Sequence, residues 1–186
     1  MNASSARNLT LFTSVSSVWA IVFGFIGPFY VVYVERLSGG MEKLGISFSI
    51  MVLLQSLTSY FAGRFSDKLG RRPFLIVTAY ANTVILILYT VITETYQLYL
   101  LQGMLGITSG IEGTISTSLL GDLTVKEVRG KSIGKFNAIV GFSSAVGLSC
   151  GGYMAKFYGL KSLFYLASII VALSTVLLFL IKEDDD

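Results

Sequence analysis

Only 13% of the 186 residues are charged, against 53% hydrophobic, and the mean hydropathy is +0.72. Soluble domains average about 25% charged residues, so this composition excludes a water-soluble globule and points to a membrane protein. The net charge of +3 does not imply nucleic acid, because the basic residues fall between apolar stretches, where they would meet lipid headgroups.

A transmembrane helix takes about 20 mostly apolar residues. Six such stretches are predicted, at about residues 11–34, 46–63, 74–93, 97–120, 133–155 and 162–181. The loops between them are short, so the fold class is an all-α membrane protein with six transmembrane helices in one domain, residues 1–186. The first stretch is longer than the apolar core of a signal peptide and no small-residue cleavage site follows it, so it is expected to stay. Within it, Pro28 in Gly24-Phe25-Ile26-Gly27-Pro28-Phe29-Tyr30 predicts a kink in the outer half.

The second stretch closes on Gly63-Arg64-Phe65-Ser66-Asp67-Lys68-Leu69-Gly70-Arg71-Arg72. Gly63 would let the helix end approach a neighbour closely, and Gly70 would permit the turn. Asp67 can accept hydrogen bonds from the N-terminus of another helix. Arg71 and Arg72 can pair with it or with lipid phosphate. The bland alternative is a generic basic loop.

The fourth stretch holds Glu112, the only acidic residue well inside any span. A carboxylate at bilayer depth costs on the order of 3 kcal/mol on insertion scales. Ser109 and Ser116 share its helix face, with Thr108 nearby. Gly103, Gly106, Gly110 and Gly113 form a neighbouring small-residue stripe. Glu112 reads either as a proton or substrate-cation site or as a structural carboxylate held by serines or a loop arginine. Gln55, Asn82, Gln102 and Asn137 are uncharged polar groups inside spans, suited to bonding between helices; Gln102 is also a candidate for substrate or coupling. The fifth stretch is rich in glycine (Gly134, Gly141, Gly147, Gly151 and Gly152), which allows tight helix crossings. The sixth has nothing more polar than Ser and Thr and is expected to face lipid.

Lys and Arg set orientation. With the N-terminus in the cytoplasm, that side holds Arg7, Arg64, Lys68, Arg71, Arg72, Lys126, Arg129, Lys131, Lys135 and Lys182, ten in all. The other side holds four, Arg36, Lys43, Lys156 and Lys161. Both termini are therefore expected to be cytoplasmic. The acidic tail 183–186 carries little weight in this rule.

Residues 63–72 align with Gly152-Tyr153-Met154-Ala155-Lys156-Phe157-Tyr158-Gly159-Leu160-Lys161, matching both glycines and the closing basic residue. The two segments follow stretches two and five, on opposite sides of the membrane. That is the pattern of an inverted three-plus-three repeat.

The segment 63–72 resembles the signature G-x-x-x-D-[RK]-x-G-[RK]-[RK] between helices 2 and 3 of the major facilitator superfamily. Gly121-Asp122-Leu123 followed by Val128-Arg129-Gly130-Lys131 is similar to that family's helix 4–5 loop. Gly151-Gly152 with Gly159 and Phe164 is similar to its helix 5–6 junction. The resemblance covers the whole chain and implies one half of a secondary transporter that works by alternating access. It also implies a conformational latch at Gly63, Asp67, Lys68, Gly70, Arg71, Arg72 and Arg129. Gly147-Leu148-Ser149-Cys150-Gly151-Gly152 is similar to the antiporter signature G-P-x-x-G-G, with Leu148 at the proline position. Many proton-coupled members carry R-x-x-Q-G in helix 4; Tyr99 stands at that arginine position, before Gln102 and Gly103.

Enzyme chemistry finds no foothold: there is no histidine, no paired intramembrane carboxylate, no P-loop and no C-x-x-C motif. The single cysteine, Cys150, rules out an intrachain disulfide. No cofactor or metal is expected. The expected setting is the plasma membrane, and the expected partners are lipid, a small-molecule substrate and protons. Full-length members of the family have two six-helix halves. The chain could be a half-size transporter acting as a homodimer, one half that joins a separate partner half, or a fragment. The alternative function is a non-transporting or orphan membrane subunit. The few charges inside the spans and the many Phe and Tyr residues suit a hydrophobic or amphipathic solute.

Overall fold

The computed structural model describes residues 3–38 and 40–180. Residue 181 of the sixth predicted stretch, Lys182 and the acidic tail 183–186 lie outside the described residues. The elements are α1 (Ala3–Ser38), α2 (Met41–Leu69), α3 (Arg72–Leu88), α4 (Thr95–Asp122), a 3-10 turn (Lys126–Val128), α5 (Arg129–Tyr158) and α6 (Leu160–Leu178). No strand occurs among the described residues.

Most helices overrun their apolar stretches. Hydropathy marks only the lipid zone, whereas backbone hydrogen bonding carries the helix into the interface. α6 stops at Leu178, before the end of its predicted stretch at 181, and α3 stops shorter still. α3 ends at Leu88 rather than near 93, where Thr90 Oγ1 donates to Ile87 O at 2.7 Å and tightens the turn. α4 then starts on a capping box, Gln97 Oε1 accepting from Glu94 N–H at 3.1 Å. By length and composition α1, α2, α5 with its leading turn, and α6 can each cross a membrane; α3 is apolar but shorter, with 17 residues. α1 runs unbroken through Pro28 to Ser38, so the proline sits inside a continuous helix and does not end it.

The repeat is visible in both the turns and the packing. Gly70 (φ 83°, ψ 162°) and Gly159 (φ 80°, ψ 166°) are the only positive-φ residues among those described. They occupy the aligned positions of the two segments and make the same α2–α3 and α5–α6 turn, in a backbone region that a Cβ disfavours. Exchanging α1, α2, α3 for α4, α5, α6 maps the main contacts onto one another: α1 on α5 becomes α4 on α2, α1 on α6 becomes α4 on α3, and α3 on α6 maps onto itself. An odd number of helices per unit forces the second unit to enter from the opposite side, so the repeat is inverted.

Two crossings are backbone-close. A Cβ at Gly110 would lie 2.5 Å from Gln55 O on α2, and one at Gly151 would lie 2.8 Å from Phe25 Cα on α1. Gly106 and Gly147 meet the Met51 and Ile21 backbones in the same way, one turn earlier in each helix. Between these pairs lies a core of Phe12, Trp19, Ile85, Tyr89, Ile115 and Phe164. Trp19 Nε1 donates to Ser174 Oγ at 2.9 Å, tying α1 to α6. One face of α6 is therefore packed on α1 and α3, while Tyr165, Ile169, Leu173 and Val176 stay exposed on the other. α2 and α5 are the least covered helices, with Tyr60 81% and Phe142 75% exposed.

Gly147→Ala should lower the melting temperature in detergent, since an added methyl against backbone costs about 1–3 kcal/mol. Gly134→Ala, where a Cβ meets nothing within 4 Å, should leave the melting temperature equal or higher, because alanine is the better helix former by ~1 kcal/mol. Equal losses for both variants would remove the packing account.

Candidate functional site

One end of the bundle carries an ion cluster on the α2–α3 turn. Arg71 lies 3.6 Å from Asp67 Oδ1 and pairs through Nη1 with Asp122 Oδ2, the last residue of α4. Arg72 Nη2 donates to Phe179 O at 2.7 Å, and its guanidinium lies 5.6 Å from the Phe179 ring centroid at the end of α6. The turn is thus tied to the ends of both α4 and α6. Asp122 is the member that the spacing 63–72 alone does not supply, because the α4 end comes beside the turn only through the α2–α4 packing.

Other expected members stand elsewhere. Arg129 Nη2 donates to Thr124 O at 3.4 Å and so closes the α4–α5 turn; among the described residues it pairs with neither Asp67 nor Asp122. Lys68 is exposed. Gly63 is not forced by a close approach, since a Cβ there would meet Thr114 Cγ2 at 3.6 Å, an ordinary contact.

A second polar group lies within the bundle. Asn82 Nδ2 on α3 donates to Glu112 Oε2 at 3.2 Å, and Thr108 Oγ1 donates to Asn82 Oδ1 at 2.5 Å. Asn82 is buried and Glu112 partly buried. The carboxylate's partner is therefore an amide on α3. Ser109 and Ser116 make no hydrogen bond to it among the described residues, and no loop arginine reaches it. Ser109 and Ser116 are within one helical turn of Glu112 in sequence, but α3 crosses α4 on the Asn82 side and takes the bond.

Of the four intramembrane amides, Asn82 and Gln102 link helices. Gln102 Nε2 donates to Tyr30 Oη at 2.5 Å, from α4 to α1. Gln55 is only partly buried and Asn137 is exposed; among the described residues neither hydrogen-bonds another helix. Tyr30 belongs to an aromatic group with Tyr33, Phe48, Tyr89 and Phe164, in which Tyr89 stacks on Phe164 at 5.2 Å and Tyr30 meets Tyr89 edge-on at 5.9 Å. Tyr33 donates its hydroxyl to Tyr89 O. Beside this group is a cavity of about 150 Å³. A larger groove of about 530 Å³ runs between the N-terminal halves of α1 and α5, lined by Thr10, Thr13, Ser14, Ser17, Ser132 and Lys135 among others. Of the glycines on α5, Gly147 and Gly151 pack on α1, Gly152 makes only an ordinary 3.4 Å contact with Phe29, and Gly134 and Gly141 face open space.

Comparison with known proteins decides the family. The sequence profile of the Major Facilitator Superfamily matches residues 10–186. The chain belongs to this superfamily. It is 28% identical over 153 residues to the uncharacterized MFS-type transporter YitZ of Bacillus subtilis, covering 82% of this chain and 93% of YitZ. It is 28% identical over 168 residues to the multidrug resistance protein MdtG of Proteus mirabilis, covering 87% of this chain and 42% of MdtG. It is 31% identical over 164 residues to the uncharacterized MFS-type transporter YuxJ of Bacillus subtilis, covering 85% of this chain and 42% of YuxJ. The chain thus spans less than half the length of the MdtG and YuxJ relatives. Superfamily membership together with four helices long and apolar enough to cross a membrane makes it a multi-pass membrane protein of a transporter family.

A double-mutant cycle on Arg71→Gln and Asp122→Asn should give a coupling of ~1 kcal/mol or less, since the Asp122 side chain is 60% exposed and water screens the pair. The same cycle with Asp122→Asn and Arg129→Gln should show no coupling. Coupling of the second pair in thermal unfolding would relocate the cluster.

Proposed function

We propose that this six-helix bundle is half of a secondary transporter that moves a small hydrophobic or amphipathic solute by alternating access. The observation that carries the reading is Glu112. It is a carboxylate midway along α4, tied to α3 through Asn82, at a depth where an ionised group is costly unless it has a task. Its proposed role is to take up and release a proton as the bundle changes state. Similarity to proteins named for multidrug resistance supports an amphipathic solute. The antiporter-like run Gly147–Gly152 and the absence of an arginine at Tyr99 put coupling on Glu112 rather than on the usual helix 4 position.

A second six-helix bundle is proposed across α2 and α5. These helices leave large side chains uncovered, and α5 exposes Asn137, an amide that lipid cannot satisfy. A second copy of this chain related by a two-fold axis along the membrane normal would complete the cavity, as would a separate partner half. The Asp67–Arg71–Asp122 cluster would act as the latch, with Asp67, 65% exposed, able to accept from a helix N-terminus of the other bundle. The proposed setting is the plasma membrane with both termini cytoplasmic. The Arg71–Asp122 and Arg72–Phe179 contacts gather the α2–α3 turn and the ends of α4 and α6 on the side where the basic residues concentrate. A non-transporting membrane subunit is the second reading, favoured by one observation: Asn82 already satisfies Glu112 within the bundle, as a structural carboxylate would need.

In inverted vesicles, uptake of a lipophilic fluorescent dye should depend on a proton gradient. Glu112→Gln should abolish that dependence and Asp67→Asn should slow uptake several-fold, both at unchanged protein levels. A proton dependence that survives Glu112→Gln makes Glu112 structural, and normal uptake by Asp67→Asn removes the latch.

In a Cys150→Ser background, cysteines introduced in 36–43 and 156–161 should react with an impermeant maleimide outside intact cells, and those in 66–72 and 124–131 should not. Cysteines at 63 and 134 should crosslink between chains. The opposite labelling pattern overturns the orientation, and a chain that stays monomeric in nanodiscs without the crosslink overturns the homodimer.

A further inference from the structure

At the end of the bundle opposite the Arg71–Asp122 cluster, a groove of about 430 Å³ opens between the last turn of α1, the α3–α4 turn and the start of α6. Leu37, Ile92 and Leu160 give it apolar walls, and Arg36 from α1 and Lys161 from α6 bring two cations to it. Among the described residues neither cation has an ion pair or a hydrogen bond. The acidic residues close to them in sequence do not serve as partners. Glu94 accepts from the backbone of the first turn of α4, and Glu35 makes no ion pair among the described residues.

Cations are scarce at this end. Lys and Arg concentrate at the other one, which leaves Arg36, Lys43, Lys156 and Lys161 here, and two of those four line the same groove. Like charges gathered in one place repel unless an anion joins them. The donors suit a phosphate: a guanidinium meets two of its oxygens with parallel bonds, and an ammonium adds a point charge. Leu160 and Lys161 also begin α6, whose first turn has no side-chain cap, so leading backbone N–H groups remain as further donors. The side chains supply the charge and the helix end only adds to it. The walls identify the source of the phosphate. A free anion gains nothing from Leu37, Ile92 and Leu160, and water screens its attraction to two exposed cations. A phospholipid uses both features, because its phosphate sits at the level of the helix ends and its chains continue over apolar surface. A zwitterionic headgroup would bring a third cation to the pair, so a net-anionic one fits better.

We propose that this groove holds the headgroup phosphate of an anionic phospholipid, with Arg36 and Lys161 as its charge partners and Leu37, Ile92 and Leu160 beneath the start of its chains. The site is separate from the α2–α3 turn, which lies at the other end of the bundle. It needs neither a second six-helix bundle nor solute movement.

The test titrates the full chain in neutral detergent with dioleoyl phosphatidylglycerol or dioleoyl phosphatidylcholine and reads the first lipid adduct by native mass spectrometry. Phosphatidylglycerol should bind at several-fold lower concentration than phosphatidylcholine. Arg36→Gln and Lys161→Gln should each weaken it about 5-fold, the worth of one cation at the membrane surface. The double variant should bind the two lipids equally, with phosphatidylcholine binding unchanged throughout. Lys156→Gln removes an exposed cation of the same end that stacks on Phe157 at 5.6 Å, outside the groove; it should leave phosphatidylglycerol binding as it is. Excess inorganic phosphate should not displace the lipid. Melting temperatures without lipid should match wild type, because neither side chain has a partner to lose; should Arg36→Gln fail to fold, Lys161→Gln against Lys156→Gln decides. Equal binding of the two lipids by the wild-type chain overturns the site. An equal loss in Lys156→Gln and Lys161→Gln overturns it in favour of diffuse surface charge. Displacement by inorganic phosphate overturns the lipid in favour of a free anion.

Discussion

Helices in lipid gain little from hiding apolar surface from one another, because lipid tails are as apolar as their side chains. Their association rests on close backbone approach and on the few polar groups they share. This chain meets the first requirement twice, with Gly106 and Gly110 on α4 against α2, and Gly147 and Gly151 on α5 against α1. The two crossings are related by the internal repeat, so one packing solution serves both halves of the bundle. The rest of the architecture hangs on them: α3 and α6 fill the remaining side, joined to each other and to α4 and α1.

Polar side chains are placed where these crossings leave room. Asn82 connects α3 to Glu112 on α4, and Gln102 connects α4 to Tyr30 on α1. α4 thus carries the carboxylate and the amide, and its neighbours supply the partners. α2 and α5 contribute little to this interior and keep much of their surface uncovered, which leaves them available for contacts outside the chain. α4 thus packs mainly on α2 and α3, and its polar side chains point to α3 at Glu112 and to α1 at Gln102.

At one end the Arg71 and Arg72 guanidiniums bridge from the α2–α3 turn to the ends of α4 and α6. These contacts are partly exposed, so they are weak as stability terms and easily exchanged for others. The aromatic group is the opposite case, with Tyr89 stacked on Phe164 at 5.2 Å and both side chains buried.

Much of this was legible in the sequence, for physical reasons that differ by feature. Apolar runs mark the six helices, four of them with the length and composition to cross a membrane, because lipid demands both apolarity and satisfied backbone. Gly70 and Gly159 were readable as a matched pair because a left-handed turn selects glycine wherever it occurs. The charged segment 63–72 was readable because so dense a charge cluster between two spans is local in sequence. The early end of α3, the unbroken run of α1 through Pro28, and the identity of each polar partner were not. Glu112 selects Asn82 rather than Ser109 or Ser116, and Arg71 reaches Asp122, because helix crossings bring together residues 30 and 51 positions apart, whereas Arg129 closes its own turn on Thr124. Composition and periodicity determined the membrane, the helices and the repeat. Tertiary packing alone decided which polar atoms meet, because helix crossings join residues that lie far apart in sequence.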